Sequence, residues 1–223
     1  MQKIIIIGNS ISADILYAYL EQDKRYDIVA FSVDESFIIA DQKCGIPVVA
    51  LETLSQVFSS DEHRVVMAVG YKEINKLRET LFAQVKAMGY VVETYIHPDA
   101  KVYNQGNIGE GSIIMANTVV EVHTLIGKNA VIWAGCVIGH HATVGDNCWI
   151  ASGTVLAGEV TVGCNSFLGV NVTISNQVNV ADFNIIGGHT AIHKHTKSNE
   201  VYICGQGEKL RFSADEYAEQ FLK

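Results

Sequence analysis

From Val102 to Ile192 every sixth residue is aliphatic, beginning Val102, Ile108, Ile114, Val120 and ending Val180, Ile186, Ile192, with sixteen hits in sixteen positions. Ile, Leu and Val together make up 61 of the 223 residues, so chance does not produce this run. The next residue is often Gly or Ala, as at Gly109, Gly127, Gly139, Gly145 and Ala151. Four positions after each aliphatic, small residues dominate, among them Ser112, Thr118, Thr124, Cys136, Cys148 and Thr154. A period of six fits neither a helix nor a heptad coil. It fits a triangular solenoid in which each hexad is one short strand and one corner. The aliphatic residue points into the prism, the small residue allows the corner, and Gly or Ala relieves crowding where backbones pass. Sixteen unbroken hexads, three to a coil, predict about five coils over residues 97–200.

The first ninety residues have another grammar. Residues 3–7 are a continuous apolar run closed by Gly8, the pattern of a strand buried on both faces. A helix is expected over 13–22, strands over 28–33, near 47–49 and over 65–69, a helix over 72–88 stopped by Gly89, and a last strand over 91–96. Alternating strands and helices imply a parallel sheet with ligands at the carboxyl ends of its strands. The relevant edges are Gly8 to Ser12, Asp34-Glu35 and Gly70. The G-x-G-x-x-G fingerprint is absent, which argues against NAD. A phosphate can still sit on the amides of residues 9–12 and the following helix start, with Asp34 accepting from a base or ribose. The alternative is that Gly8 only makes a tight turn and Asp34 only ends a strand. Beyond the prism, residues 201–211 are expected to be extended or looped. Ser213 with Glu216 forms a capping box for a final helix ending near Leu222. The expected organisation is a nucleotide-binding α/β unit over 1–96, the prism over 97–200, and a loop with a helix over 201–223.

Hydrophobic residues make up 48% and charged residues 18%, enough for a real core and too little charge for disorder. The net charge of −8 repels phosphate backbones and argues against nucleic acid. No run approaches the ~18 apolar residues of a membrane span, and the start MQKIIIIG does not read as a secretory signal. Five cysteines without a CxxC pair fit a reducing, cytoplasmic setting.

The hexad run resembles the left-handed β-helix of hexapeptide-repeat acyltransferases. The α/β unit followed by IHPDAKV (Ile96–Val102) resembles the NeuD-type family of sialic-acid O-acetyltransferases and nucleotide-aminosugar N-acetyltransferases. The resemblance spans residues 3 to about 205. It implies a small Rossmann-like domain, a left-handed parallel β-helix and a homotrimer. It also implies acetyl-CoA held between neighbouring prisms and a nucleotide-linked amino sugar on the α/β unit, for surface polysaccharide or glycan biosynthesis. The family's catalytic histidine falls on His140 in VIGHHATVGDN. The acidic residue that often follows it is replaced by His141, which either orients the base or acceptor or is a plain surface imidazole. A second family histidine, near the thioester, matches Trp149. The nucleotide-sugar loop matches Gly8, Ser10, Ile11 and Ser12, with Ile11 where the family has glycine. The acidic pair matches Asp34 and Glu35, and Gly70 matches the glycine ending the fourth strand. Coenzyme A contacts map to Gly158, Val170 and Gly188. The family's closing Pro-Ala-Lys turn is absent.

The chemistry this implies is direct transfer. A neutral imidazole is a suitable general base near neutral pH, and His140 takes that role. An amide near Gly158 would hold the oxyanion. Cys136 and Cys148 fall on small-residue corners and read as packing, not as nucleophiles. Trp133 and Trp149 are expected at the cleft between prisms or in packing. A zinc site would need three histidines converging from adjacent coils, and the spacings of His123, His189, His193 and His195 do not give such a triad. Two rival readings stay open. One is a sialic-acid-type O-acetyltransferase or a transferase of another acyl-CoA, and the other is a catalytically silent nucleotide-sugar-binding scaffold.

Overall fold

The computed structural model describes residues 1–103 and 107–221. The α/β unit comprises β1 (Gln2–Ile7), α1 (Ile11–Gln22), β2 (Tyr26–Val33), β3 (Gln42–Lys43), β4 (Ile46–Ala50), α2 (Leu54–Val57), β5 (His63–Met67), α3 (Lys76–Ala87) and β6 (Val91–Val92). Its sheet runs in the order β3-β4-β2-β1-β5-β6, parallel except for the short β3–β4 hairpin. The apolar run at β1 is central, as its composition requires. Ile4 and Ile6 pack on one face with α1, whereas Ile5 and Ile7 pack on the other with Leu54 and Val85.

Two elements of the α/β unit differ from the sequence expectation in extent or pairing. The helix expected over 72–88 starts only at Lys76. Glu73, Ile74 and Asn75 have φ of 55°, 52° and 66°, left-handed conformations that a right-handed helix cannot continue through. The strand expected over 91–96 divides. Val91–Val92 joins the α/β sheet, while Tyr95–Ile96 pairs with Ile113–Ile114 and opens the prism.

From there the chain winds as a left-handed parallel β-helix. Each strand is two residues long and pairs with the strand 18 residues on, for instance Val131↔Trp149 and Val137↔Val155. Three faces result. The first runs from Tyr95–Ile96 to Val201–Tyr202, the second from Lys101–Val102 to Ala191–Ile192, and the third from Leu125–Ile126 to Asn179–Val180. Residues 201–202, expected outside the prism, complete its first face by pairing with Ile185–Ile186. Fourteen of the sixteen periodic aliphatics, Ile114 through Ile192, form one buried column, and Val102 and Ile108 pack half-buried at its start.

The corners carry a second period. Residues 111, 117, 123 and every sixth onward to 189 have positive φ, whether Gly (111, 135, 153), Asn (117, 129, 147, 165, 171), His (123, 141, 189) or Glu159, Gln177 and Phe183. The small polar corner residues are not merely small. Ser112, Thr118, Cys136, Cys148, Thr154 and Ser166 each donate to the carbonyl fifteen residues ahead, which ties each coil to the next.

The α/β unit lies on the first face. Outward-facing Ile113, Val131 and Trp149 share a core with α1 and β1. Arg78 of α3 is fully buried at the seam, with no carboxylate partner among the described residues. Its guanidinium donates to the carbonyls of Asn129 (3.3 Å), Asn147 (2.7 Å), Cys148 (3.2 Å) and Gly70 (3.3 Å) and to Asn75 Oδ1 (2.9 Å). Burial pulls its pKa down to about 10, which leaves it charged at neutral pH. At the far end, Ala214–Phe221 forms α4 with the expected box. The Ser213 amide donates to Glu216, and the Glu216 amide donates to Ser213 Oγ. Leu222, where that helix was expected to end, lies outside the described residues. No helix among the described residues is long and apolar enough to cross a membrane.

Candidate functional site

Chemistry-bearing residues gather in two places. The first is at the carboxyl ends of β1, β2 and β5, where successive strands change from one side of β1 to the other. Gly8 has φ of 120°, and a Cβ there would come within 2.7 Å of the Ala68 carbonyl. Only glycine lets β1 and the segment after β5 pass this closely. The cleft that opens has a volume of about 200 Å³ and is lined by Gly8, Asn9, Ser10, Ser32, Asp34 and Lys72 among others. Ser10 caps α1 but makes no side-chain cap hydrogen bond, so the helix start is open to an acceptor from outside. Asn9 Nδ2 donates to the Phe37 carbonyl at 2.9 Å and ties this loop to the segment after Asp34. The Ser32 hydroxyl is fully buried and has no hydrogen-bond partner among the described residues. A ligand group in the cleft would satisfy it.

Of the expected residues here, Gly8, Ser10 and Asp34 line the cleft itself. Ile11 is 74% exposed at the start of α1. Ser12 instead faces Gly70: its Oγ would lie 3.7 Å from a Cβ at that glycine. Glu35 sits in a 3-10 turn, its amide held by the Glu52 carboxylate at 3.1 Å, and is not among the cleft's lining residues. Lys72 and Ser32 were not foreseen. Lys72 falls in the part of the 72–88 expectation that is not helical, and Ser32 falls within the strand expected over 28–33.

The second place is the prism edge between the second and third faces. His140 and His141 stand there exposed, with their Nδ1 atoms 3.2 Å apart. The His141 ring lies 4.6 Å, centroid to centroid, from that of His123 one coil below. Gly158, one coil above, is adjacent: a Cβ on it would fall 2.5 Å from His140 Cε1 and 2.6 Å from Nε2. Its own amide donates to no acceptor among the described residues. The edge therefore offers an exposed imidazole packed against a buried glycine backbone.

The other expected coenzyme residues lie elsewhere. Val170 and Gly188 adjoin on the edge between the first and second faces, where a Cβ on Gly188 would lie 3.1 Å from the Val170 carbonyl. Within one chain, these two and Gly158 stand at opposite margins of the same face. Trp149 is buried beneath the α/β unit, with its ring 5.2 Å from Tyr71, 5.5 Å from Trp133 and 5.6 Å from the Arg78 guanidinium. Cys136 and Cys148 are corner packing. Burial pushes their thiols up to about 11 and about 12, far from a thiolate at neutral pH. Among the described residues no group of three His, Cys, Asp or Glu side chains could hold a metal ion.

Fold and repeat together are similar to those of hexapeptide-repeat acyltransferases, and they support acyltransferase activity. Residues 123–158, which include the histidine edge, match the bacterial transferase hexapeptide family (six repeats). No curated protein sequence is a significant match. Among solved structures, the chain is similar to a histidine-to-asparagine mutant of perosamine N-acetyltransferase from Caulobacter crescentus in complex with CoA and GDP-perosamine. The TM-score is 0.78 and the identity 25%, with 91% of this chain and 93% of that one covered. The acetyltransferase domain of PglB from Neisseria gonorrhoeae, in complex with acetyl coenzyme A, shares the fold with a TM-score of 0.73. It is 22% identical, over 94% of this chain and 99% of that one. WeeI from Acinetobacter baumannii shares it at 0.63 and 17% identity, over 89% and 94%.

Proposed function

We propose that this chain transfers an acetyl group from acetyl-CoA to the amine of a nucleotide-linked amino sugar, with His140 as general base. The observation that carries the reading is the His140 imidazole beside Gly158 on an open prism edge. The amine nitrogen attacks the thioester carbonyl and forms the C–N bond. Its proton passes to Nε2 of His140, and the Gly158 amide stabilises the oxyanion. The C–S bond then breaks, and the departing thiolate takes up the proton from His140. The products are an amide and the free thiol of coenzyme A.

The α/β unit, residues 1–96, binds the nucleotide. The open start of α1 and Lys72 meet the phosphates, while Ser32 and Asp34 meet the nucleoside. A cleft of that make-up favours a nucleotide-linked acceptor over a free sialic acid. Val170 and Gly188 meet coenzyme A together with Gly158 only if they come from a neighbouring copy, which supports a homotrimer with its sites between prisms of residues 97–200. The solved perosamine enzyme, in complex with CoA and a GDP-sugar, supports the same pairing of substrates. The narrower NeuD-type kinship and a cytoplasmic location belong to this reading as well.

The test is thiol release from acetyl-CoA with a panel of UDP-, dTDP- and GDP-linked amino sugars. At least one acceptor is expected to turn over, and His140→Ala to lose at least ~10²-fold in kcat with its circular dichroism unchanged. Near-normal turnover in that variant would remove the proposed base. Silence with every acceptor would leave a binding scaffold.

A further inference from the structure

We propose that the left-handed turn over residues 71–75 is a positioning device: Tyr71 and Asn75 pin it to the prism, and it turns Lys72, rather than Glu73, toward the phosphates of a bound nucleotide. This rests on the cleft of the α/β unit being the nucleotide site. The turn runs against its own sequence. Residues 72–76 read KEINK, with no Pro or Gly, and by propensity they would extend α3 as a right-handed helix. Instead Glu73, Ile74 and Asn75 have φ of 55°, 52° and 66°, and the Asn75 amide donates to the Tyr71 carbonyl at 3.2 Å. Three left-handed residues in a row, one of them β-branched, persist only where the surrounding contacts hold them.

Those contacts come largely from the prism. The Tyr71 ring lies 4.7 Å from that of Phe167 and 5.2 Å from that of Trp149, centroid to centroid. Asn75 is buried; its Nδ2 donates to the carbonyls of Asn165 and Ser166, each at 3.3 Å, and its Oδ1 accepts from Arg78 at 2.9 Å. Handedness then decides which charge the cleft meets. Leu77 and Leu81, four residues apart on α3, line the cleft. One right-handed turn earlier, that face would carry Glu73, a carboxylate beside an anion. Lys72 would fall on the face of Lys76 and Glu79, which meet Phe183 and Asn165 of the prism. With the turn left-handed, Lys72 lines the cleft and Glu73 does not. Lys72 has no carboxylate partner among the described residues, so its charge is available to a ligand. The prism thus sets the sign of the charge at a site on the α/β unit.

The experiment is calorimetric titration of the full-length protein with GDP, UDP, dTDP and CDP, without acetyl-CoA. At least one is expected to bind, and Lys72→Met and Tyr71→Ala should each weaken it about 10-fold. Tyr71→Phe keeps the ring and should bind as the native protein does. Glu73→Gln should change nothing in the native background. It should recover several-fold of the affinity lost in Tyr71→Ala, where the relaxed turn brings Glu73 to the phosphates. Tyr71 is 54% exposed, so its truncation should leave the fold intact, which circular dichroism checks; Tyr71→Leu carries the same cycle if it does not. In turnover, Lys72→Met and Tyr71→Ala should raise KM for the acceptor and leave KM for acetyl-CoA as it is. Binding that is indifferent to Lys72→Met, or a Tyr71→Ala variant that Glu73→Gln does not recover, overturns the proposal and leaves the nucleotide reading standing. Binding of none of the four diphosphates overturns both. A protein that binds as described and acetylates nothing counts against the acetyltransferase reading alone.

Discussion

The prism and the α/β unit solve the problem of placing functional residues in opposite ways. In the prism every position has counterparts one coil above and below, so the structural demand on it is visible five times over. On two of the three edges the left-handed corners take Asn or Gly in most coils, because these tolerate that backbone. The third edge, with His123, His141, Glu159 and Gln177, departs from that background throughout, and His140 on it borders the glycine at 158. Function in a repeat shows as a break in the pattern. The α/β unit has no such background. Its cleft exists because strand order reverses beside β1, and its lining comes from loops far apart in sequence, from Gly8 to Ser32 to Lys72. Function there follows from topology.

The strongest way to break this comparison is at the seam, where the regions depend on each other. Arg78→Met removes a guanidinium that satisfies four carbonyls from both regions. A loss of about 3 kcal/mol or more in urea unfolding is expected, with the α/β unit melting apart from the prism. A single unchanged transition would show that the regions do not lean on this residue. Gly158→Ala tests the histidine edge. The added methyl meets the His140 ring and should cost up to ~10²-fold in turnover by displacing it.

Smaller effects sharpen the account of each region. Thr154→Val deletes a corner hydrogen bond to the Gly169 carbonyl, 2.9 Å long, and should cost about 1 kcal/mol in chemical unfolding. A much smaller loss would mean that corner size alone matters. The least effect is expected at Asp23, whose carboxyl is held below its usual range by the Arg25 guanidinium, which also donates to the Ile96 carbonyl. A depressed carboxyl contributes stability above its unfolded pKa, and that contribution is lost as pH falls through the folded value. Thermal midpoints of the native protein should therefore drop on acidification more than those of Asp23→Asn, and parallel curves would remove Asp23 from the acid response.

The legible part of the candidate site was the part with a repeat behind it. His140 and Gly158 adjoin on one edge, and Cys136 and Cys148 are buried at corners. The left-handed period at 111 to 189 was also open to reading, from the Asn or Gly three places after eight of the fourteen aliphatics from Ile108 to Ile186. Trp149 shows the limit. Its strand register was plain, but nothing local says that the face it occupies is covered by another part of the chain.

The sequence by itself determined the prism, its inward column, the buried first strand and the final capping box. Each is dictated by contacts between residues at fixed spacing along the chain, so periodicity carries the information. Only the tertiary structure decided that Arg78 and Trp149 are buried at a seam, that Lys72 and Ser32 share a cleft, and that the coenzyme residues fall on two different edges. Those outcomes depend on how separately formed surfaces meet, and the free energy of that meeting is spread over residues with no common spacing.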